Sequence, residues 1–264
     1  MTFPNSPRVV YRKNPLVEVI CQLRFPTILR IGVNGVADFQ DKVRQEYPLY
    51  ELQEPSFEFP QFPKELSAIL EQLHLPKPIG SVTHKFLTKD SQRFISLSQG
   101  FLALREAKYR RWESFKTEME KAELALRELY QPAFYSRIGL RYRDVISRRA
   151  LGLDGVKWRD LLQPHLLGEL GAEDVADSVV QMHTRVVIQT PDVPGGRVTL
   201  THGLVIAPET NEDCYALDAD FAVEQKESID EPFSILDKFN RLAGRLFRWA
   251  ITETLHDAMG PKDV

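Results

Sequence analysis

FLALREAKYRRWESFKTEMEKAELALRELYQPAFYSRIGLRYRDVI, residues Phe101–Ile146, decides the fold of this 264-residue chain. The stretch reads as the end of a strand, one long amphipathic helix, a proline stop and a second strand. At 100° per residue, Trp112, Phe115, Met119, Ala122, Leu126, Leu129 and Tyr130 share one arc, with Ala125 at its edge. Glu113, Lys116, Lys121, Glu123 and Arg127 lie elsewhere, and only Leu124 is misplaced. About 19 residues at a rise of about 1.5 Å span roughly 28 Å, and Pro132 ends the helix. So wide a stripe predicts a helix laid across a sheet. In Phe134–Ile146, Phe134, Ile138, Leu140, Tyr142 and Ile146 face one way, while Arg137, Gly139, Arg141 and Arg143 face the other.

Toward the N-terminus, residues 1–15 are proline-rich and basic and read as an extended arm. LVEVICQLRFP (Leu16–Pro26) alternates as a strand, with Val19, Cys21, Leu23 and Phe25 on one face and Glu18, Gln22 and Arg24 on the other. Gly32 and Gly35 mark a turn, and Val36–Tyr47 suits a short helix stopped by Pro48. Five prolines between Leu49 and Pro78 break the pattern, leaving room for a short helix at Lys64–Leu73. Val82–Thr88 and Arg93–Leu104 read as two strands around a Lys-Asp-Ser turn.

Toward the C-terminus, a basic, glycine-punctuated loop leads to a helix over Trp158–Leu170, interrupted or started near Pro164. Val179–Thr190 and Gly196–Ile206 form a hairpin around PDVPGG, and Cys214–Glu224 is a further strand, with Leu217, Phe221 and Val223 inward and Asp218 and Asp220 outward. Pro232–Ala258 reads as one long helix, with Asp230 and Glu231 before a first-turn proline. Ile235, Phe239, Leu242, Leu246, Trp249 and Ala250 form its apolar arc.

The two halves, about 16–132 and 133–260, share one order of elements: strand, short helix, two or three strands, long helix. QLRF (Gln22–Phe25) aligns with GLRY (Gly139–Tyr142), and LSQGF (Leu97–Phe101) with LDADF (Leu217–Phe221). Two β-α-β-β-β-α units predict a single α+β domain over 1–264, an antiparallel sheet with both long helices on one face, saddle- or helix-grip-like. The other face stays open to solvent or a partner. Arg24, Arg137, Arg141, Arg143, Asp218 and Asp220 point to it.

At NPLVEVICQLRFP, at YRRWESF with RIGLRYRDVI, and at the closing LFRWAITETLHDAMGP, the chain resembles a sporadically distributed family of uncharacterised bacterial proteins of about this length. The resemblance covers most of the chain and implies a bacterial cytoplasmic protein. These landmarks belong to strands and helices, and no catalytic or binding residue comes with them.

Hydrophobic residues at 43%, charged residues at 27% and a net charge of −3 describe an ordinary globular chain, with no bulk pull toward nucleic acid or membrane. No apolar run reaches the length of a membrane span, and the N-terminus lacks a signal peptide's apolar core, so a cytoplasmic location is expected. Cys21 and Cys214 stand far apart, and Cys21 falls in an apolar strand, as a reduced buried thiol does.

Candidate chemistry is sparse. Asp218 and Asp220 put two carboxylates on one strand face, about 6–7 Å apart. A divalent ion could use them, but no third ligand follows at a fixed spacing, and pairing with strand arginines is the simpler expectation. The six histidines show no metal spacing; His183 and His202 could approach each other across the hairpin, with Cys214 the only nearby cysteine in sequence. There is no nucleophile elbow, Walker loop or dinucleotide fingerprint, so no cofactor is implied. Two basic features remain, the strand arginines and a stripe of Lys238, Arg241, Arg245 and Arg248 on the last helix. The leading expectation is a non-enzymatic binding protein whose open sheet face meets another protein or an anionic ligand. The alternatives are an enzyme or nucleotide sensor using Asp218, Asp220 and Arg141 with a divalent ion, and nucleic-acid binding through the helix stripe.

Overall fold

The computed structural model describes residues 2–32, 35–53, 82–207, 210–224 and 231–263. The helix expected over Lys64–Leu73 and the residue Asp230 lie outside them. In chain order the elements are β1 (Val9–Tyr11), β2 (Leu16–Arg24), α1 (Ala37–Val43), β3 (Leu49–Gln53), β4 (Thr83–Leu87), β5 (Arg93–Ser98), β6 (Phe101–Glu106) and α2 (Trp112–Tyr130). Then come β7 (Arg137–Ile146), the short helices α3 (Arg148–Leu151), α4 (Trp158–Leu161) and α5 (Pro164–Leu167), β8 (His183–Gln189), β9 (Gly196–Ala207) and β10 (Glu212–Glu224). The chain closes with α6 (Pro232–Ala250), α7 (Glu253–Ala258) and β11 (Pro261–Asp263).

The architecture is α+β. Among the described residues, nine antiparallel strands run in the order β3-β4-β5-β6-β2-β7-β10-β9-β8, and β1 pairs with β11 in a separate two-stranded ribbon. The two strands with the clearest alternation, β2 and β7, lie side by side at the centre, with Gln22 opposite Gly139 and Arg24 opposite Arg137.

Both long helices cover the same face of the sheet. The buried stripe of α2 follows its periodicity at Trp112, Phe115, Met119, Ala122, Ala125, Leu126 and Tyr130, and Leu124 is 49% exposed, but Leu129 is only partly covered and Glu123, expected off the arc, is buried with them. Gln131 closes the helix in the left-handed conformation at φ 47°, directly before Pro132. Helix α6 lies on β7 and β10, and α2 lies on β6. Trp112 Nε1 donates to Asp237 Oδ1 at 2.7 Å, and Lys116 Nζ reaches Asp237 at 2.9 Å, so the two helices touch. Beneath them Val19, Cys21, Leu23, Ile138, Leu140, Leu217 and Phe221 are fully buried. Each large side chain among them contributes roughly 1.5–3 kcal/mol relative to exposure.

Four expectations change. Arg93–Leu104 is two strands, β5 and β6, because the chain reverses at Gln99-Gly100. The last helix ends at Ala250: Ile251 is extended and bridges Leu162, Thr252 N donates to Leu161 O at 2.9 Å, and the Thr252 hydroxyl caps a new helix, α7. The buried side of α6 is Leu236, Phe239, Leu242, Ala243, Leu246 and Ala250, with Ile235 and Trp249 only partly covered. The LSQGF segment spans the β5–β6 turn, whereas LDADF lies inside β10, so these segments do not occupy matching places.

Candidate functional site

The open sheet face is an ion-pair lattice. The register puts Arg24, Arg137, Arg141, Arg143, Asp218 and Asp220 on it, opposite in direction to the buried Ile138, Leu140 and Tyr142. Arg141 grips Asp218 with two nitrogens, Nε at 2.6 Å. Arg143 reaches Glu18 at 3.0 Å and Asp218 at 3.5 Å, and Arg105 holds the other oxygen of Glu18. Arg137 lies across the sheet to Asp220 at 3.0 Å, Gln22 at 3.1 Å and Glu224 at 3.5 Å. Arg24 donates to Gln22 at 3.0 Å and has no acidic partner among the described residues.

Glu18 sits at the middle of this lattice with its side chain 5% exposed. Burial pushes its carboxyl up, but the hydrogen bonds from Arg143 and Arg105 outweigh burial and hold it below the usual glutamate value. The carboxylates expected to bind a divalent ion are thus engaged by guanidinium groups. That arrangement stiffens the seam between β2, β7 and β10.

The other expected metal groups do not meet. Parity along β8, β9 and β10 sends His202 toward the helices and His183 and Cys214 to the opposite face. His202 Nδ1 lies 2.7 Å from the Tyr215 hydroxyl, which itself donates to Leu166 O, so the ring nitrogen is the donor to that oxygen. Burial pushes the Cys21 thiol up, away from nucleophile chemistry. Glu253, His256 and Asp257 on α7 bring three ligand-type atoms within 4.8 Å of one another, but both carboxylates are exposed and His256 Nδ1 is 2.8 Å from the Tyr11 hydroxyl.

A cleft of about 560 Å³ opens on the helix side, between the N-terminal arm, the start of α2, the end of β7 and one flank of α6. The arm forms its outer wall and is fixed at several points. Thr2 bonds Asp192 at 3.0 Å, Phe3 packs on Trp249 with ring centres 5.4 Å apart, and Arg8 makes a two-pronged pair with Glu113 at 2.6 and 3.0 Å. Beyond Arg8, β1 is stitched to β11.

The floor is aromatic and polar. Tyr142 is buried and donates to Asn240 Oδ1 at 2.9 Å, and Tyr109 stands edge-on to it with ring centres 6.0 Å apart. Two residues beyond Tyr142 on the same strand face, Asp144 points toward the helices with its side chain partly covered. Its carboxyl makes no hydrogen bond or ion pair among the described residues. Burial, reinforced by the charge of Asp218 on the neighbouring strand, raises it from 3.8 to about 7.

The inner wall is the polar flank of α6. Arg241, Arg245 and Arg248 of the helix stripe line it, and Lys238 does not. Arg248 is engaged by Glu253 and by Ile251 O at 3.3 Å. Arg241, exposed, and Arg245, half-buried, have no acidic or hydrogen-bonding partner among the described residues. Arg110 and Arg111 stand exposed at the mouth. Between Arg241 and Arg245, Gly244 leaves a gap: a Cβ there would meet nothing within 4 Å.

Of the residues singled out in the sequence, the structure gathers Arg141, Arg143, Asp218 and, through Arg137, Asp220 on one face, and Arg241, Arg245 and Arg248 in the cleft. Asp144, Gly244, Arg8 and Tyr109 are cleft residues that sequence reasoning passed over. No helix among the described residues is long and apolar enough to cross a membrane. The chain matches no protein-family model and no curated protein.

Proposed function

We propose that the chain is a bacterial cytoplasmic binding protein that holds a small anionic ligand in the cleft between its N-terminal arm and α6. One observation carries this reading. Arg241 and Arg245 project from the cleft wall without an acidic partner among the described residues, whereas Arg137, Arg141 and Arg143 each hold carboxylates. A guanidinium in a concave, partly apolar site offers a planar fork of donors to phosphate or carboxylate, and the walls concentrate its field. The open sheet face offers a partner mostly neutralised charge, which favours the cleft as the contact. Three cations on the helix unengaged among the described residues, Lys238, Arg241 and Arg245, are also a small footprint for nucleic acid, where each neutralised phosphate needs its own cation. Outward from the β2–β7 seam, β2-β6-β5-β4 is matched by β7-β10-β9-β8, which supports a duplication as part of the same reading.

The test is calorimetric titration of the native protein with inorganic phosphate, alongside an Arg241→Gln, Arg245→Gln double variant and an Arg141→Gln, Arg143→Gln double variant. Binding weakened only in the first variant supports the cleft. Binding weakened only in the second moves the site to the sheet, and absence of binding to the native protein rejects the reading. One observation favours a second reading in which the ligand is turned over: Asp144, raised to about 7, lies in the range a general base needs. Product released from a bound ligand, and lost in Asp144→Asn, distinguishes the two.

A further inference from the structure

The cleft has two unlike poles. Its wall and mouth carry arginines without partners, and its floor carries a carboxyl without one. No ion pair among the described residues joins Asp144 to Arg241, Arg245 or any other cation, and burial with the nearby Asp218 charge pushes its carboxyl up. The cationic and acidic groups of the cleft are therefore not one another's partners. A carboxyl partly withdrawn from water and without a hydrogen-bond donor of its own is relieved by an N–H donor that enters the cleft.

Gly244 adds an independent observation. A glycine in the middle of a helix costs about 1 kcal/mol relative to alanine, and here no neighbour requires it, because an added Cβ meets nothing within 4 Å. The gap it leaves lies on the cleft wall, where a ligand can lie against the helix backbone. The rings of Tyr109, Tyr142 and Phe247 also line the space.

We propose that the cleft selects a bipolar small molecule, with a phosphate or carboxylate against Arg241 and Arg245 and an N–H donor group, ammonium or amidine, against Asp144, the body passing over Gly244. This rests on the anion reading of the cleft and adds the second pole. Two sources share the chemistry: nucleotides whose base bears adjacent N–H donors, and flexible amino phosphates.

The experiment titrates the native protein with guanosine monophosphate, phosphoethanolamine and inorganic phosphate. At least one bipolar probe is expected to bind about tenfold or more tighter than phosphate, the gain that a charge-assisted hydrogen bond supplies. Asp144→Asn is expected to erase that advantage without weakening phosphate binding. Gly244→Leu, at a site with free space, is expected to fold and to exclude the bipolar probes. The nucleotide alone gaining identifies a flat-ringed ligand, and phosphoethanolamine alone gaining identifies a flexible one. Phosphate binding with no bipolar advantage, or an advantage that survives Asp144→Asn, overturns this inference and leaves the anion reading standing. No binding of any probe overturns both.

Discussion

Any side chain larger than hydrogen at Gly139 would put its Cβ 2.3 Å from Nη1 of Arg137. The two residues lie two apart on the same face of β7, so the guanidinium of Arg137 crosses the sheet over the bare glycine. There it reaches Gln22 on one neighbouring strand and Asp220 on the other. The Arg137 side chain is only 12% exposed, so the pairing is better shielded than an ordinary surface pair.

Gly139→Ala is therefore expected to displace Arg137 rather than to break the strand. The lost ion pair offsets alanine's lower backbone entropy cost, for a net destabilisation of about 1 kcal/mol. In a double-mutant cycle read by urea unfolding, Asp220→Asn is expected to cost less in the Gly139→Ala background than in the native one. Additive costs would show that the glycine does not serve the Arg137–Asp220 bridge.

Glu18 answers two arginines from the middle of the sheet. Glu18→Gln is expected to cost about 1–2 kcal/mol near neutral pH, because both guanidinium groups keep some access to water. The carboxyl is held below its usual value in the fold, so the stability it contributes is present above the unfolded value of 4.5 and is lost as pH falls below it. The gap between native and variant urea midpoints should narrow under acid. A gap that stays constant with pH would contradict the charge assignment.

Asp144 carries the opposite sign. Its folded value of about 7 lies above its unfolded 3.8, so the native state keeps a proton that the unfolded chain gives up. Stability on its account falls as pH rises between those values. Asp144→Asn is expected to stabilise the protein, and to do so more at about pH 8 than at about pH 5. The difference is on the order of 1–2 kcal/mol, discounted because the side chain is partly exposed. Equal effects at both pH values would contradict a raised carboxyl.

Gly244→Ala is expected to raise stability by about 0.5–1 kcal/mol, since the helix gains propensity and the new methyl touches nothing. A rise in thermal midpoint checks this. A loss would mean that the cleft is narrower than described.

Much of this architecture is legible in the chain because periodicity reports burial directly. Trp112 to Tyr130 shows the wide stripe of a sheet-covering helix, and β2 and β7 alternate cleanly because each has one apolar and one polar face. The end of the last helix is not legible in the same way. Its stop at Ala250 depends on Ile251 and Thr252 being drawn into contact with Leu161 and Leu162, about ninety residues earlier. The ribbon of β1 with β11 joins the two ends of the chain and has no local signal at all.

The candidate site divides along the same line. The arginine row of β7 shows in its alternation, but its engagement by Glu18, Asp218 and Asp220 depends on strand order. Asp144 had a signal: it occupies an inward-parity position of β7, between Tyr142 and Ile146, where an acid breaks the apolar face. Arg8, Arg110 and Tyr109 look like ordinary loop residues until the arm folds back over α6.

The central claim is that the cleft at Arg241 and Arg245 receives the ligand. Amide chemical-shift mapping of the native protein during titration with inorganic phosphate tests it most directly. The account expects shifts concentrated at Arg241–Arg248, at Arg110 and Arg111, and at the arm near Arg8. Shifts concentrated instead at Arg137–Arg143 and Asp218–Asp220, with α6 unmoved, would contradict it.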